Sequence, residues 1–101
     1  MIGDAGDDGS PACGANNLRG TVTLTGNTGS LELGGNQIPA SVTVNNNTTT
    51  ISTPPESATA TEIEANNISG NLACTGNTPP PTNDGKPNTV LGTRSDQCST
   101  L

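Results

Sequence analysis

The chain has 101 residues and a formal net charge of −6, and it contains no Phe, Trp, Tyr or His. Leu, Ile and Val together supply only sixteen residues, too few for a conventional layered core to offset chain entropy. Its three basic side chains, Arg19, Lys86 and Arg94, cannot assemble the patch that nucleic acid requires, and no apolar run is long enough to insert in a membrane.

Residues 1–9, MIGDAGDDG, read as a flexible acidic leader. Their Asp/Gly alternation is one imperfect copy of a calcium-binding nonapeptide, and such sites need successive turns to complete the ion's oxygen shell, so no metal is expected. The stretch also lacks the basic and apolar segments of a secretory signal. The Asn-, Thr-, Gly- and Ser-rich remainder still has an extracellular composition, so a secreted, bacterial protein is expected, read here as a mature fragment.

From residue 10 to 101 a single domain is expected, organised by a frame that recurs four times. Asn16-Asn17-Leu18-Arg19-Gly20 is followed by Asn36-Gln37-Ile38-Pro39-Ala40, then Asn66-Asn67-Ile68-Ser69-Gly70, then Asn88-Thr89-Val90-Leu91-Gly92. Upstream, Cys13, Leu33 and Ile63 each lie five residues before the apolar residue of the frame. Downstream, Val22/Leu24, Val42/Val44 and Leu72/Cys74 keep the period-two alternation of a half-buried strand. Asn27, Asn47 and Asn77 each follow the first Asn by eleven residues and precede a Thr. In the fourth copy Arg94 and Asp96 stand at apolar positions, which reads as a terminal cap.

A unit of this size cannot bury its own inward side chains. Stacking units about 4.8 Å apart converts each inward position into a column buried between neighbours. The columns are Leu18–Ile38–Ile68–Val90, Val22–Val42–Leu72, Leu24–Val44–Cys74 and Cys13–Leu33–Ile63. Asn at a fixed turn position can hydrogen-bond to the Asn above and below, giving two ladders, Asn16–Asn36–Asn66–Asn88 and Asn27–Asn47–Asn77. By composition alone the chain would be disordered. Agreement of apolar, small and Asn columns in one register argues for a fold instead.

Between copies, TTTISTPPESATATE and TPPPTNDGKP form loops at about 48–60 and 78–87, expected to project from the same side. Their prolines cannot donate to a ladder and suit a wide corner or a contact surface. Asn46, Asn47 and Asn67 sit in glycosylation sequons, which matter only in a eukaryotic secretory route. Cys74 and Cys98 lie 24 residues apart, about one unit, and are expected to form a disulfide worth roughly 3 kcal/mol. Cys13 is left as a small apolar residue or as the partner of a thiol further upstream. With no His and no CxxC, neither a catalytic thiol nor a metal centre is expected.

SLELGGNQI and TEIEANNIS resemble the strand-turn-strand unit of pectate-lyase-like proteins, and the resemblance covers about residues 10–98. It implies an all-β fold, a right-handed parallel β-helix of three to four rungs. The tail GNLACTGNTPPPTNDGKPNTVLGTRSDQC resembles the end of small secreted actinobacterial β-helix proteins, which implies a lineage and no activity.

Enzymes of this architecture place acid–base residues along one strand face. Here the outward positions are Thr21-Thr23-Thr25, Ser41-Thr43-Asn45 and Asn71-Ala73-Thr75, which carry no such chemistry. Glu32 and Glu62 stack at equivalent positions and are expected to be two solvated carboxylates, with a cation between them as the alternative. The expected function is a non-catalytic structural or interaction module without cofactor, self-associating by end-to-end rung stacking through its open first unit. The alternative is a binding module for a protein, a glycan or another surface ligand through the Thr/Ser/Asn face or the Pro-rich loops.

Overall fold

The computed structural model describes residues 2–3, 14–49 and 61–101. Cys13, the acidic stretch 4–9 and most of the first loop lie outside the described residues. Within them every regular element is a β-strand and every strand pairing is parallel.

Three sheets share the nine strands. One contains β1 (Val22–Thr25), β4 (Val42–Asn45), β7 (Leu72–Thr75) and β9 (Arg94–Asp96), in that order. A second pairs β2 (Leu31–Gly34) with β5 (Thr61–Glu64). The third orders β3 (Gln37–Ile38), β6 (Asn67–Ile68) and β8 (Thr89–Val90). The chain visits the sheets in rotation, so each circuit lays one strand on each and defines a layer. Isolated bridges supply the missing members: Ile2 to Leu33, Asn17 to Gln37 and Thr82 to Glu62. The first layer is therefore Ile2–Gly3, Asn17–Leu18 and β1; the last is Thr82, β8 and β9.

Register stacks like on like. Val22 pairs with Val42 and Val42 with Leu72; Leu24 pairs with Val44 and Val44 with Cys74. Ile38 pairs with Ile68, Ile68 with Val90, and Leu33 with Ile63. Branched aliphatics suit this arrangement because each methyl meets its equivalent one strand away, and the β-branched ones already favour extended backbone. Leu33, Val42, Val44, Ile63, Ile68, Leu72 and Cys74 are fully buried. Their counterparts in the first layer, Ile2, Leu18, Val22 and Leu24, are only partly buried.

Turns repeat as strictly as strands. Gly26, Asn46, Gly76 and Asp96 all have positive φ, and each immediately precedes an amide side chain: Asn27, Asn47, Asn77 and Gln97. Gly, Asn and Asp are the residues that enter this left-handed region at least cost. Gly35 and Ala65 repeat the device before Asn36 and Asn66. Ala65, at φ 50°, has no such aptitude, and it is held there by the backbone N–H donated to Lys86 O at 3.0 Å.

Three placements differ from the sequence pattern. Ile2 and Gly3, within the expected leader, belong to the first layer: Ile2 N–H donates to Glu32 O and Gly34 N–H to Ile2 O. Ile2 thus lies over Leu33, in the place the pattern gave to Cys13, so residues 4–13 fall between two segments of one layer. The second loop also runs along the stack instead of projecting from it. Thr78 bridges Thr48, Thr82 bridges Glu62, and Pro81 is buried. A proline has no donor to satisfy and can line a sheet margin, where its neighbours carry the ladder. Glu32, expected in solvent, is 7% exposed beside half-buried Glu62, its partner in register.

The C-terminal end is closed. Cys98 is bonded to Cys74 with their Cα atoms 5.3 Å apart, and both are fully buried. Leu101 is 8% exposed and joins the same cluster. Cys98 N–H donates to Ser95 O and Ser99 N–H to Asp96 O, so the tail folds back on the carbonyls of its own edge strand.

Candidate functional site

Two amide ladders run the length of the stack. In the first, the backbone N–H and Nδ2 of Asn16 both donate to Asn36 Oδ1, at 3.1 and 3.0 Å. Asn36 donates the same pair to Asn66 Oδ1, and Asn66 to Asn88 Oδ1. The second ladder repeats this from Asn27 to Asn47 and from Asn47 to Asn77. The remaining Nδ2 hydrogen of each inner Asn reaches a carbonyl of the preceding layer: Ile2 O, Leu33 O and Ile63 O in one ladder, Leu24 O and Val44 O in the other. Asn36, Asn47, Asn66, Asn77 and Asn88 are buried, and such an arrangement leaves no amide group unmet.

The ladders are directional. From Asn to Asn the donors point from each layer to the next, and the Oδ1 acceptors point back toward the N-terminal end. At the C-terminal end the second ladder finishes at Gln97, whose Oε1 accepts from Asn77 N and Nδ2 while its Nε2 turns back to Asn77 O. The first ladder finishes at Asn88, 3% exposed, whose carbonyl accepts from Arg94 Nη2 at 2.8 Å. Gln97 escaped the sequence pattern because it is not Asn. The signal was nonetheless present, since it lies twenty residues after Asn77, as Asn47 does after Asn27, and follows a turn-forming Asp.

At the opposite end, among the described residues, nothing terminates either ladder. There Oδ1 of Asn16 and Oδ1 of Asn27 accept no hydrogen bond, although their Nδ2 groups are engaged. Between them lies the outer side of β1, which pairs on one side only with a described strand. Val22 and Gly26 N–H bond toward β4, to Ser41 O and Asn45 O, so by alternation the peptide groups of Thr21, Thr23 and Thr25 face away from the sheet. All three threonines are exposed. Half-buried Leu18, Val22 and Leu24 complete an apolar floor.

Other polar groups are committed to the fold. On the outer face of the four-stranded sheet, Ser41 Oγ accepts from Asn71 N–H, Asn71 Oδ1 from Thr93 N–H, and Asn45 Oδ1 from Thr75 N–H. These contacts tie layers together and leave that face less to offer a ligand. Fully buried Glu64 has Lys86 Nζ 3.7 Å from its Oε1. Among the described residues no group of three acidic or sulfur side chains is arranged to hold a metal ion. A shallow groove of about 370 Å³ on the outer face of β3 and β6 is lined by Asn17, Arg19, Gln37, Pro39, Asn67 and Ser69.

No family model, no curated protein and no solved structure matches this chain.

Proposed function

We propose that the chain is a short right-handed parallel β-helix that acts as an extracellular, non-catalytic interaction module, working through its open N-terminal layer. The observation that carries this reading is the asymmetry of the two ends among the described residues: the ladders of the last layer are capped by Gln97 and Arg94 beside the disulfide-bonded tail, whereas β1 and both ladders stop unfinished at the first. An exposed strand edge with satisfied neighbours on one side only is a template for adding another strand. The buried Cys74–Cys98 bond is compatible with the oxidising exterior. The outward Thr, Ser, Asn and Ala side chains offer no proton donor–acceptor pair for catalysis.

Closure of the C-terminal end shapes what the chain can do alone. Copies cannot add head to tail without displacing the tail, so self-stacking takes the form of two open ends meeting. Light scattering coupled to size-exclusion chromatography should show a monomer passing to a dimer, and no further, as concentration rises. Leu24→Lys, which puts a charge on the half-buried floor of the open layer, should return the dimer to monomer. A monomer at every concentration would overturn self-association through this end.

A further inference from the structure

We infer that the open layer is a receptor for a polypeptide coil that runs parallel to β1 and carries side-chain carboxamides at two positions eleven residues apart. The inference rests on the interaction-module reading above and names the partner's chemistry.

Polarity of the ladders decides the partner. Every inner Oδ1 receives two donors from the layer on its N-terminal side, a backbone N–H and the Nδ2 of the same Asn. Oδ1 of Asn16 and Oδ1 of Asn27 await the same pair. Each of these two residues also has one Nδ2 hydrogen that its inner counterparts spend on a carbonyl of the preceding layer. A fitting coil therefore brings two donors and one carbonyl to each of two points, with a parallel strand between them for the peptide groups of Thr21, Thr23 and Thr25. Over Leu18, Val22 and Leu24 it needs apolar residues two, six and eight places after its first carboxamide. Glu or Asp at the carboxamide positions would present acceptors to acceptors.

A second folded copy satisfies this poorly. Its open end offers the same two acceptors with one spare Nδ2 hydrogen at each, so a dimer of open ends pairs the strands but does not bring each Oδ1 the backbone N–H and Nδ2 pair that the inner layers supply. Its closed end offers Gln97, already turned back, and Asn88, buried behind Arg94. The matching partner is an extended segment that becomes ordered as it docks. Residues 35–49 of this chain, GNQIPASVTVNNNTT, have the required spacing, with Asn36 and Asn47 as the carboxamides and Ile38, Val42 and Val44 as the apolar set.

That peptide is the probe. Titrated into the isotope-labelled full chain, it should move the amide resonances of Thr21, Thr23, Thr25 and the Asn16 and Asn27 side chains, saturably, and leave those of Thr89 to Cys98 in place. The same peptide with Asn36→Leu and Asn47→Leu, unchanged in charge and close in shape, should bind at least about ten-fold more weakly, because two desolvated amide bonds are lost. Equal binding of the two peptides, shifts centred on the closed end, or no shifts in the first layer would each overturn the inference. Run beside the light-scattering series, the two readings separate. A dimer without peptide binding refutes the carboxamide coil alone, and neither dimer nor binding refutes both.

Discussion

The first and last layers use the same strand geometry and differ in how their hydrogen bonds end. In the last, a Gln stands where an Asn would be, and one additional methylene lets its amide serve as acceptor and donor to the same residue, Asn77. The tail then turns back on β9, Cys98 and Ser99 N–H donating to Ser95 O and Asp96 O, and buries Cys98 and Leu101 at that end of the core. In the first layer, equivalent positions hold residues that would suit the middle of the stack: Asn16, Asn27 and an uninterrupted β1. A terminal layer thus needs residues that depart from the repeat, and one that keeps to the repeat remains competent to extend. Apolar burial follows the same gradient, from partly buried Leu24 to fully buried Val44 and Cys74 in one column.

The largest expected difference lies within one ladder. Asn66 is 1% exposed and its side chain makes four hydrogen bonds, accepting from Asn36 N and Nδ2 and donating to Leu33 O and Asn88 Oδ1. Asn66→Ala strands two donors of Asn36 and the Leu33 carbonyl inside the stack, while Asn88 Oδ1 keeps the N–H of residue 66. It should cost about 4 kcal/mol in denaturant unfolding, at about 1–3 kcal/mol for each unmet buried group after partial relaxation. Asn16→Ala removes a single side-chain bond at the exposed end, to Asn36 Oδ1, which still accepts from Asn16 N–H. Its cost should stay below about 1 kcal/mol. Equal losses at the two positions would contradict the gradient.

What the sequence made legible follows from what stacking requires. A column of like residues in a parallel register is visible because each member must resemble the one above it; Ile38 with Ile68 and Val44 with Cys74 could be aligned by eye before any coordinates. The Cys74–Cys98 bond was legible for the same reason, since adjacent layers bring equivalent positions within bonding range. Ile2 was not legible. More than ten residues separate it from the rest of its layer, and the five-residue spacing that places Leu33 and Ile63 also fits Cys13. Burial of Glu32 and Glu64 was hidden too, because period two assigns a face to a residue without saying what covers that face. Gln97 departs from the Asn pattern because the turn needs only a carboxamide, which either residue type supplies.

Glycines give the next contrast. Gly20 and Gly70 occupy the same corner of the first and third layers. A Cβ built on Gly70 would come within 2.6 Å of Ser41 N and 2.7 Å of Ala40 C, backbone atoms of the preceding layer. A Cβ on Gly20 meets none of the described residues within 4 Å. Neither is among the residues with positive φ, so the comparison isolates interlayer contact from backbone preference. Gly70→Ala should destabilise by about 2 kcal/mol through overpacking, and Gly20→Ala should be neutral within about 0.5 kcal/mol. Thermal unfolding of the two variants side by side is sufficient. If Gly20→Ala proved as costly as Gly70→Ala, something would have to cover the first layer at that corner, and the open end would be correspondingly smaller.

The smallest expected effect tests closure itself. Gln97→Glu keeps an acceptor for Asn77 N and Nδ2 but removes the only donor, Nε2, that turns back to Asn77 O at 2.9 Å. The residue is half-buried, so the carboxylate keeps some contact with water, and a charged acceptor strengthens the two bonds that remain. Loss of one bond against that gain leaves a net cost of about 1 kcal/mol or less in stability. The consequence for association should be nil, because Asn77 N–H and Nδ2 are still capped and the disulfide-bonded tail still buries Cys98 and Leu101 at that end. Gln97→Ala removes the acceptor as well and uncovers those Asn77 donors. That costs more stability than Gln97→Glu, yet the disulfide-bonded tail stays in place and Arg94 still holds the end of the first ladder, so light scattering should show no species beyond the dimer. Head-to-tail oligomers from Gln97→Ala would instead make the cap on the second ladder, and not the tail, the feature that limits assembly.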